Sequence, residues 1–167
     1  MHFLLKRYND RMDEYGGSLE NRARLLRELI EDTKDAVGDT CAVAVRLAVD
    51  ELLEDEGISS SGEGHDIIAH LAELPDIWDV NISGWENDSA TARFKKEGYQ
   101  EKYINFVKKL TTKPVVGVGR YTTPDAMLSV VERGIVDFVG AARPSIADPF
   151  LPQKIKEDRI EDIRECI

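Results

Sequence analysis

Hydrophobic residues recur along the chain in two alternating patterns, one helical and one typical of buried strands. Between Leu19 and Val37 they keep the spacing of an amphipathic helix, and Ser18 is a suitable N-cap ahead of it. The next apolar run, 41–45, is almost unbroken, as in parallel strands that are covered on both faces. The same alternation continues to the end of the chain. It predicts a helix over 66–74, a strand over 77–82, a helix over 99–110, a strand at 115–116, a helix over 124–133, a strand over 135–139 and a last helix over 158–166.

This alternation predicts an α/β fold, with four parallel strands joined by right-handed crossovers. An open doubly wound sheet and part of a (β/α)8 barrel both fit the pattern. The first predicted strand is not followed by the G-x-G-x-x-G of a dinucleotide-binding fold, which weakens the first alternative. A whole barrel needs about 250 residues. A chain of 167 residues therefore leaves an open sheet or half of a barrel.

The last two predicted strands end alike, in small residues followed by an arginine. The two endings are Gly117-Val118-Gly119-Arg120 and Gly140-Ala141-Ala142-Arg143. Small residues let a backbone approach a ligand closely, and exposed N–H groups beside a cation suit a phosphate. Because neighbouring parallel strands end at one edge of a sheet, the two endings predict a single anion site between them.

Arg46 interrupts the first apolar run near its end. A cation in such a strand is costly unless it has a partner. Two interpretations stay open from the residues alone. The side chain forms a salt bridge with a nearby Asp or Glu, or it directs its charge at a ligand from the carboxyl end of the strand.

Composition narrows the range of partners. The chain is 42% hydrophobic and 32% charged, with a formal net charge of -10. This excess of acid argues against a nucleic-acid surface, which needs clustered Lys and Arg. No apolar run approaches the roughly 20 residues of a membrane span. The two cysteines, Cys41 and Cys166, are far apart, so a reducing, cytoplasmic location is the simpler interpretation. We expect Cys41, which opens an apolar run, to be a buried thiol.

Several strings of residues, taken together, are similar to one family of barrels. They are YNDR at 8–11, DEYGGSLENR at 13–22, GVGRYT at 117–122 and ARPSIADPFLPQK at 142–154. They resemble the Old Yellow Enzyme class of FMN-dependent (β/α)8 barrels, and most closely its trimethylamine and dimethylamine dehydrogenase branch. The similarity covers essentially the whole chain and corresponds to the second half of the barrel. Residues 1–167 are therefore expected to form a half-barrel with strands five to eight, from after strand four to the start of a Cys-rich cluster segment.

The resemblance implies an FMN site at the carboxyl ends of the strands, where barrel active sites lie. In this family the loops after strands seven and eight bind the FMN phosphate. The matching residues are Gly119 with Arg120, and Gly140, Ala141, Ala142 and Arg143. The family's arginine on strand five corresponds to Arg46. It lies against the pyrimidine edge of the flavin and stabilises negative charge on the reduced ring.

The resemblance also implies a substrate site in the loop 83–88. Trp85 matches a tryptophan that lines the amine site, where an aromatic face attracts an alkylammonium group. Asp88 matches an aspartate of a Tyr-His-Asp set, so both residues are catalytic candidates. From the residues alone, Trp85 would be a packing residue and Asp88 a loop carboxylate. Cys166 stands where the family's first cluster cysteine binds a 4Fe–4S cluster. Since a cluster needs four thiolates, it is a ligand only if the natural chain continues.

The function that the resemblance implies is oxidation of a methylated amine by hydride transfer to FMN. Electrons would then leave through the cluster to an electron-transfer partner. The alternative within the family is an NAD(P)H-dependent enoate or 2,4-dienoyl-CoA reductase. An alternative of another class is a catalytically inactive half-barrel that at most binds a phosphate ligand. Open edges at the first and last strands would favour homo-oligomers.

Overall fold

The computed structural model describes residues 2–53, 57–82 and 94–165, and within them one sheet of four parallel strands in the order β1-β2-β3-β4. The strands are β1 (Ala44–Asp50), β2 (Ile77–Ile82), β3 (Val115–Gly117) and β4 (Phe138–Val139). The α-helices are α1 (Leu19–Val37), α2 (Glu63–Leu71), α3 (Glu101–Ile104), α4 (Val107–Leu110), α5 (Pro124–Glu132), α6 (Ala142–Ala147) and α7 (Leu151–Lys156), and 3-10 turns cover Gly38–Thr40 and Ile160–Asp162.

The two faces of the sheet differ. One face packs on the helices in a single hydrophobic cluster, to which the strands contribute Val45, Leu47, Val49, Trp78, Val80 and Val115. On the other face Arg46, Asp79, Val116 and Phe138 pair in register across the four strands, and Phe138 is 55% exposed. A doubly wound sheet would be covered by helices on both faces. The described helices cover one face, which is the arrangement of half a (β/α)8 barrel.

Two aspartates tie the amino ends of the strands together in the same way. Asp76, just before β2, accepts a hydrogen bond from the backbone N–H of Val43 at 2.8 Å. Asp137, just before β4, accepts one from Val115 at the start of β3, also at 2.8 Å. Each carboxylate also forms a salt bridge with a lysine, Asp76 with Lys34 of α1 and Asp137 with Lys108 of α4. These contacts stabilise the edge of the sheet that lies opposite the predicted ligand site.

Both α1 and β2 have the predicted bounds, but the first strand was predicted too early. β1 begins at Ala44, and Cys41 is exposed rather than buried. The physical reason is that Cys41 follows directly on the 3-10 turn at Gly38–Thr40, whereas pairing with β2 begins only at Ala44. Cys41 therefore lies before the sheet and on neither of its faces. Arg46 is consequently the third of seven strand residues, and its predicted position near the strand end was wrong.

The predicted helices at 99–110 and 158–166 were also wrong in extent. The first is divided into α3 and α4. Within α4, the backbone N–H of Lys109 donates to the carbonyl of Phe106, three residues back. Within the described part of the tail, the second is reduced to the turn Ile160–Asp162, preceded by the unpredicted α6 and α7. Asp148 turns the chain between those two helices, with its carboxylate bonded to Lys154 at 2.6 Å. Among the described residues, no helix is both long and apolar enough to cross a membrane.

Candidate functional site

The structure brings the two predicted phosphate loops to the same edge of the sheet. β3 and β4 are hydrogen-bonded neighbours, and the N–H of Gly140 donates to the carbonyl of Gly117 at 2.8 Å. Both strands run in the same direction, so Gly119-Arg120 and 140–143 leave the sheet side by side. The Gly140 N–H is used by this contact, which leaves ligand binding in this loop to the residues that follow.

Arg120 has two unusual features in the loop after β3. Its φ is +57°, in the left-handed region that favours glycine. Its Nε is buried and has no hydrogen-bond partner within the described parts of the chain. A buried donor without an acceptor costs about 1–3 kcal/mol. An anionic group with oxygen acceptors, such as a phosphate, fits this donor.

The loop after β4 leads directly into α6. Ala142 and Arg143 are the first residues of the helix, and the first helical bond runs from the Ser145 N–H to the Ala141 carbonyl at 3.1 Å. The N–H of Ala142, the first residue of the helix, therefore has no acceptor within the helix. Pro144 contributes no donor. This N–H and the Arg143 side chain belong to one short segment beside the β3 loop.

The two predicted loop glycines differ in their packing. A Cβ on Gly140 would lie 2.7 Å from Cγ1 of Val118, so packing alone requires glycine there. A Cβ on Gly119 would meet Cε2 of Tyr121 at 3.4 Å, an ordinary contact. Glycine at 119 therefore has no packing reason among the described residues. Its predicted role, close approach to a phosphate, stays a prediction.

Arg46 lies on the open face of the sheet and has a partner. Its Nη1 is 2.9 Å from Oδ2 of Asp79, the residue that pairs with it on β2. The salt bridge expected in one interpretation is therefore present, and the Arg46 side chain is still 57% exposed. Oδ1 of Asp79 is buried without a hydrogen-bond partner among the described residues. Sequence reasoning missed Asp79, although alternation along β2 places it on the face opposite Trp78 and Val80.

A cavity of about 630 Å³ lies along the open edge of β1. Arg46, Ala48 and Asn81 line it from the sheet, and Leu25 and Leu29 line it from α1. The loop residues 119–120 and 140–143 are not among its lining residues. Arg46 and the loop arginines are thus carried by strands that β2 separates, and they contribute to different parts of the open face.

A second feature that the sequence did not reveal is Glu97. Its carboxylate accepts hydrogen bonds from the backbone N–H groups of Thr122 and Thr123 and from the Thr123 hydroxyl. Burial raises the pKa of Glu97, but these hydrogen bonds together lower it by more, so that the pKa lies below its ordinary value of 4.5. Glu97 is therefore an anion at neutral pH, bound to the loop that carries Arg120.

Trp85, Asp88 and Cys166 lie outside the described residues. Their predicted roles in the amine site and the cluster therefore stay predictions. In 2–53, 57–82 and 94–165, no group of three or more His, Cys, Asp or Glu side chains is placed to hold a metal ion.

Comparison with known proteins gives consistent results. A sequence profile of the NADH:flavin oxidoreductase / NADH oxidase family matches residues 1–162. Dimethylamine dehydrogenase of Hyphomicrobium sp. (strain x) is 45% identical over 170 residues, which is 100% of this chain and 23% of that protein.

Two solved structures are similar to this chain. 6-Hydroxypseudooxynicotine amine oxidase from Pseudomonas geniculata N1 is 58% identical with a TM-score of 0.94, over 98% of this chain and 24% of that one. Histamine dehydrogenase from Rhizobium sp. 4-9 is 54% identical with a TM-score of 0.92, over 99% of this chain and 24% of that one. The chain therefore spans about a quarter of the length of these relatives.

Proposed function

The chain belongs to the NADH:flavin oxidoreductase / NADH oxidase family, and from this premise we propose that the natural protein is an FMN-dependent oxidoreductase of methylated amines. The observation that carries the cofactor site is Arg120, whose buried Nε lacks a partner among the described residues, beside a second arginine-bearing loop. The substrate class is supported by the similarity to dimethylamine dehydrogenase and to two further amine-oxidising enzymes.

In this proposal the phosphate of FMN is held at the ends of β3 and β4. Arg120 and Arg143 supply positive charge, and the N–H groups at Gly119 and at the start of α6 supply neutral donors. Arg46 faces the flavin from β1, and its contact with Asp79 limits the positions that its guanidinium can take. We assign residues 1–167 to the second half of the barrel.

When bound, FMN would accept a hydride from a methyl C–H bond of the neutral amine, formed after the alkylammonium ion releases its N–H proton to water, and the nitrogen lone pair would form the C=N bond of an iminium ion that water splits into an aldehyde and the smaller amine. Trp85 is proposed to face the cationic alkylammonium and iminium groups, and Asp88 to take part in the substrate site. Cys166 is proposed as a ligand of a 4Fe–4S cluster that passes electrons to a protein partner. A cytoplasmic location completes the proposal, since two distant cysteines give no disulfide scaffold.

Arg143→Ala in the natural full-length protein tests the phosphate site. Loss of charge-assisted hydrogen bonds worth about 1.5–3 kcal/mol should weaken FMN binding about 10- to 150-fold. Asp88→Ala should chiefly lower turnover. Arg159→Ala is the matched control, because that arginine is exposed and paired with Glu157. Equal FMN affinity in wild type and Arg143→Ala would refute the phosphate assignment.

Anaerobic addition of reductants to the FMN-loaded protein tests the substrate class. Loss of the yellow flavin absorbance with dimethylamine, and not with NADPH or NADH, supports amine oxidation. Bleaching by NAD(P)H alone, followed by recovery with an enoate or a dienoyl-CoA, identifies the reductase alternative. A protein that binds phosphate but no FMN would belong to the inactive class.

A further inference from the structure

The loop that carries Arg120 needs an external support. β3 is only three residues long, Val115–Gly117, and α5 begins at Pro124. Between them the chain passes through the left-handed conformation of Arg120, which an arginine does not favour. The position of the guanidinium therefore depends on whatever holds the residues around it.

That support is the segment before α3. Glu97 accepts from the Thr123 N–H at 2.7 Å and from the Thr123 hydroxyl at 3.1 Å, and also from the Thr122 N–H. The N–H of Gly98 donates to the carbonyl of Gly119 at 2.8 Å. The segment thus contacts the loop on both sides of Arg120.

The segment is itself fixed to the sheet. Gln100 is 1% exposed, and its Oε1 accepts the N–H of Ile82, the last residue of β2, at 3.1 Å. Glu101, the first residue of α3, makes further contacts: it accepts a hydrogen bond from the Tyr121 hydroxyl at 3.3 Å and forms a salt bridge with Arg133, at the end of α5, at 2.8 Å. The Arg120 loop is therefore connected through this segment to the end of β2.

Glu97 also lies near the amino end of α5. Thr123 is the N-cap of that helix, and its own N–H bonds to Glu97. Because the amino end of a helix attracts an anion, the carboxylate is favourably placed there. Glu97 therefore holds the loop on the side of Arg120 that leads into α5.

We propose that Glu97 is a positioning residue for the cofactor phosphate, holding the Gly119–Thr123 loop so that Arg120 is directed at it. This inference rests on the proposed FMN site. It assigns to Glu97 no contact with the cofactor. Removal of the carboxylate should therefore weaken recognition of the phosphate and leave recognition of the flavin ring unchanged.

The ratio of the FMN and riboflavin dissociation constants tests the proposal, because riboflavin has the same ring and lacks the phosphate. Both constants are measured by fluorescence titration of the full-length apoprotein. Glu97→Ala should lower the preference for FMN about 5- to 10-fold, the loss expected when one cap-type interaction is removed. Glu97→Gln should restore most of it, since one amide oxygen can still accept both backbone N–H groups.

Asp137→Asn is the matched control. Asp137 also accepts a hydrogen bond from a backbone N–H, that of Val115, at the end of β3 opposite the Arg120 loop. It should lower stability and leave the FMN-to-riboflavin ratio unchanged. If Glu97→Ala does not fold, Glu97→Asp carries the same test, because it keeps the charge on a side chain one methylene shorter.

An unchanged ratio in Glu97→Ala or Glu97→Asp would overturn the positioning role. If the ratio stays unchanged because FMN and riboflavin affinity fall equally, Glu97 contributes to general stability instead. A wild-type protein that binds the two flavins equally would instead refute the phosphate site, and this proposal with it.

Discussion

Replacing Arg120 by glycine should stabilise the apoprotein and weaken cofactor binding at the same time. Arg120 combines φ +57° with a buried Nε that has no partner among the described residues. Both features are unfavourable in the protein without ligand. In the proposed FMN complex a bound phosphate would offset both, as expected where backbone strain is kept at a functional site.

The magnitudes follow from these two features. Relief of the left-handed conformation is worth about 1–2 kcal/mol, and removal of the unpaired donor about 1–3 kcal/mol. Glycine loses about 0.5–1 kcal/mol through the entropy of its unfolded chain, and lost packing of the arginine stem costs about 1 kcal/mol. These terms sum to a net gain in the free energy of unfolding of about 0–3.5 kcal/mol, with a central value of about 2 kcal/mol. FMN affinity should fall about 10- to 150-fold, since the charge-assisted hydrogen bonds are lost.

Urea unfolding of the apoprotein and FMN titration measure the two effects. Arg120→Lys keeps the left-handed backbone and the charge but replaces Nε by a methylene, so it should gain only the part of the stability that comes from the unpaired donor and should lose less affinity. Asp158→Gly is the second control, because Asp158 has φ +56° and lies outside both predicted phosphate loops. It should leave FMN affinity unchanged. A destabilised Arg120→Gly apoprotein, or one with unchanged FMN affinity, would refute the reasoning.

Three further predictions concern buried contacts, each measured by urea unfolding. Gly140→Ala should cost about 1–3 kcal/mol, because its methyl would lie 2.7 Å from Val118 Cγ1; an unchanged midpoint would contradict the packing. Arg22→Met should cost about 3–5 kcal/mol, since the guanidinium is 1% exposed and binds a glutamate and two carbonyls; neutrality would show that it is dispensable. Lys154 and a backbone N–H hold the pKa of Asp148 below 3.8. Asp148→Asn should therefore be less stable at neutral pH, and the difference should vanish as the pH falls through that lowered pKa; a constant difference would contradict this.

Sequence periodicity predicted the elements whose signals are local. α1 has a serine N-cap and a helical apolar stripe, and β2 is a short apolar run, so the bounds of both were predicted correctly. The start of β1 was not, because apolar residues at 41–43 precede the point where pairing with β2 begins. Likewise β4 is limited to Phe138–Val139 by the extent of β3, its partner. The lengths of these strands are properties of the pair and not of either segment.

The residues of the candidate site were likewise only partly predictable from the sequence. The sequence contained the two arginine-bearing strand endings, and alternation of strands and helices predicted that they would be neighbours. It contained no signal for Glu97, which lies 25 residues before Thr122 and resembles any other acidic residue of an acidic chain. Asp79 was equally inconspicuous. Long-range polar contacts of this kind depend on where the chain returns in space.

By itself, the sequence determined the α/β class, the parallel order of the units, the two phosphate-loop candidates and the resemblance to FMN-dependent barrels. These follow from hydrophobic period, glycine and arginine at strand ends, and motif strings, all of which are local. Only the tertiary structure decided that the described helices cover one face, that Arg46 is paired with Asp79, and that Arg120 adopts a left-handed conformation in a loop that Glu97 contacts. The physical reason is that burial and hydrogen bonding of a polar group are set by residues distant in sequence, which meet only once the sheet has formed.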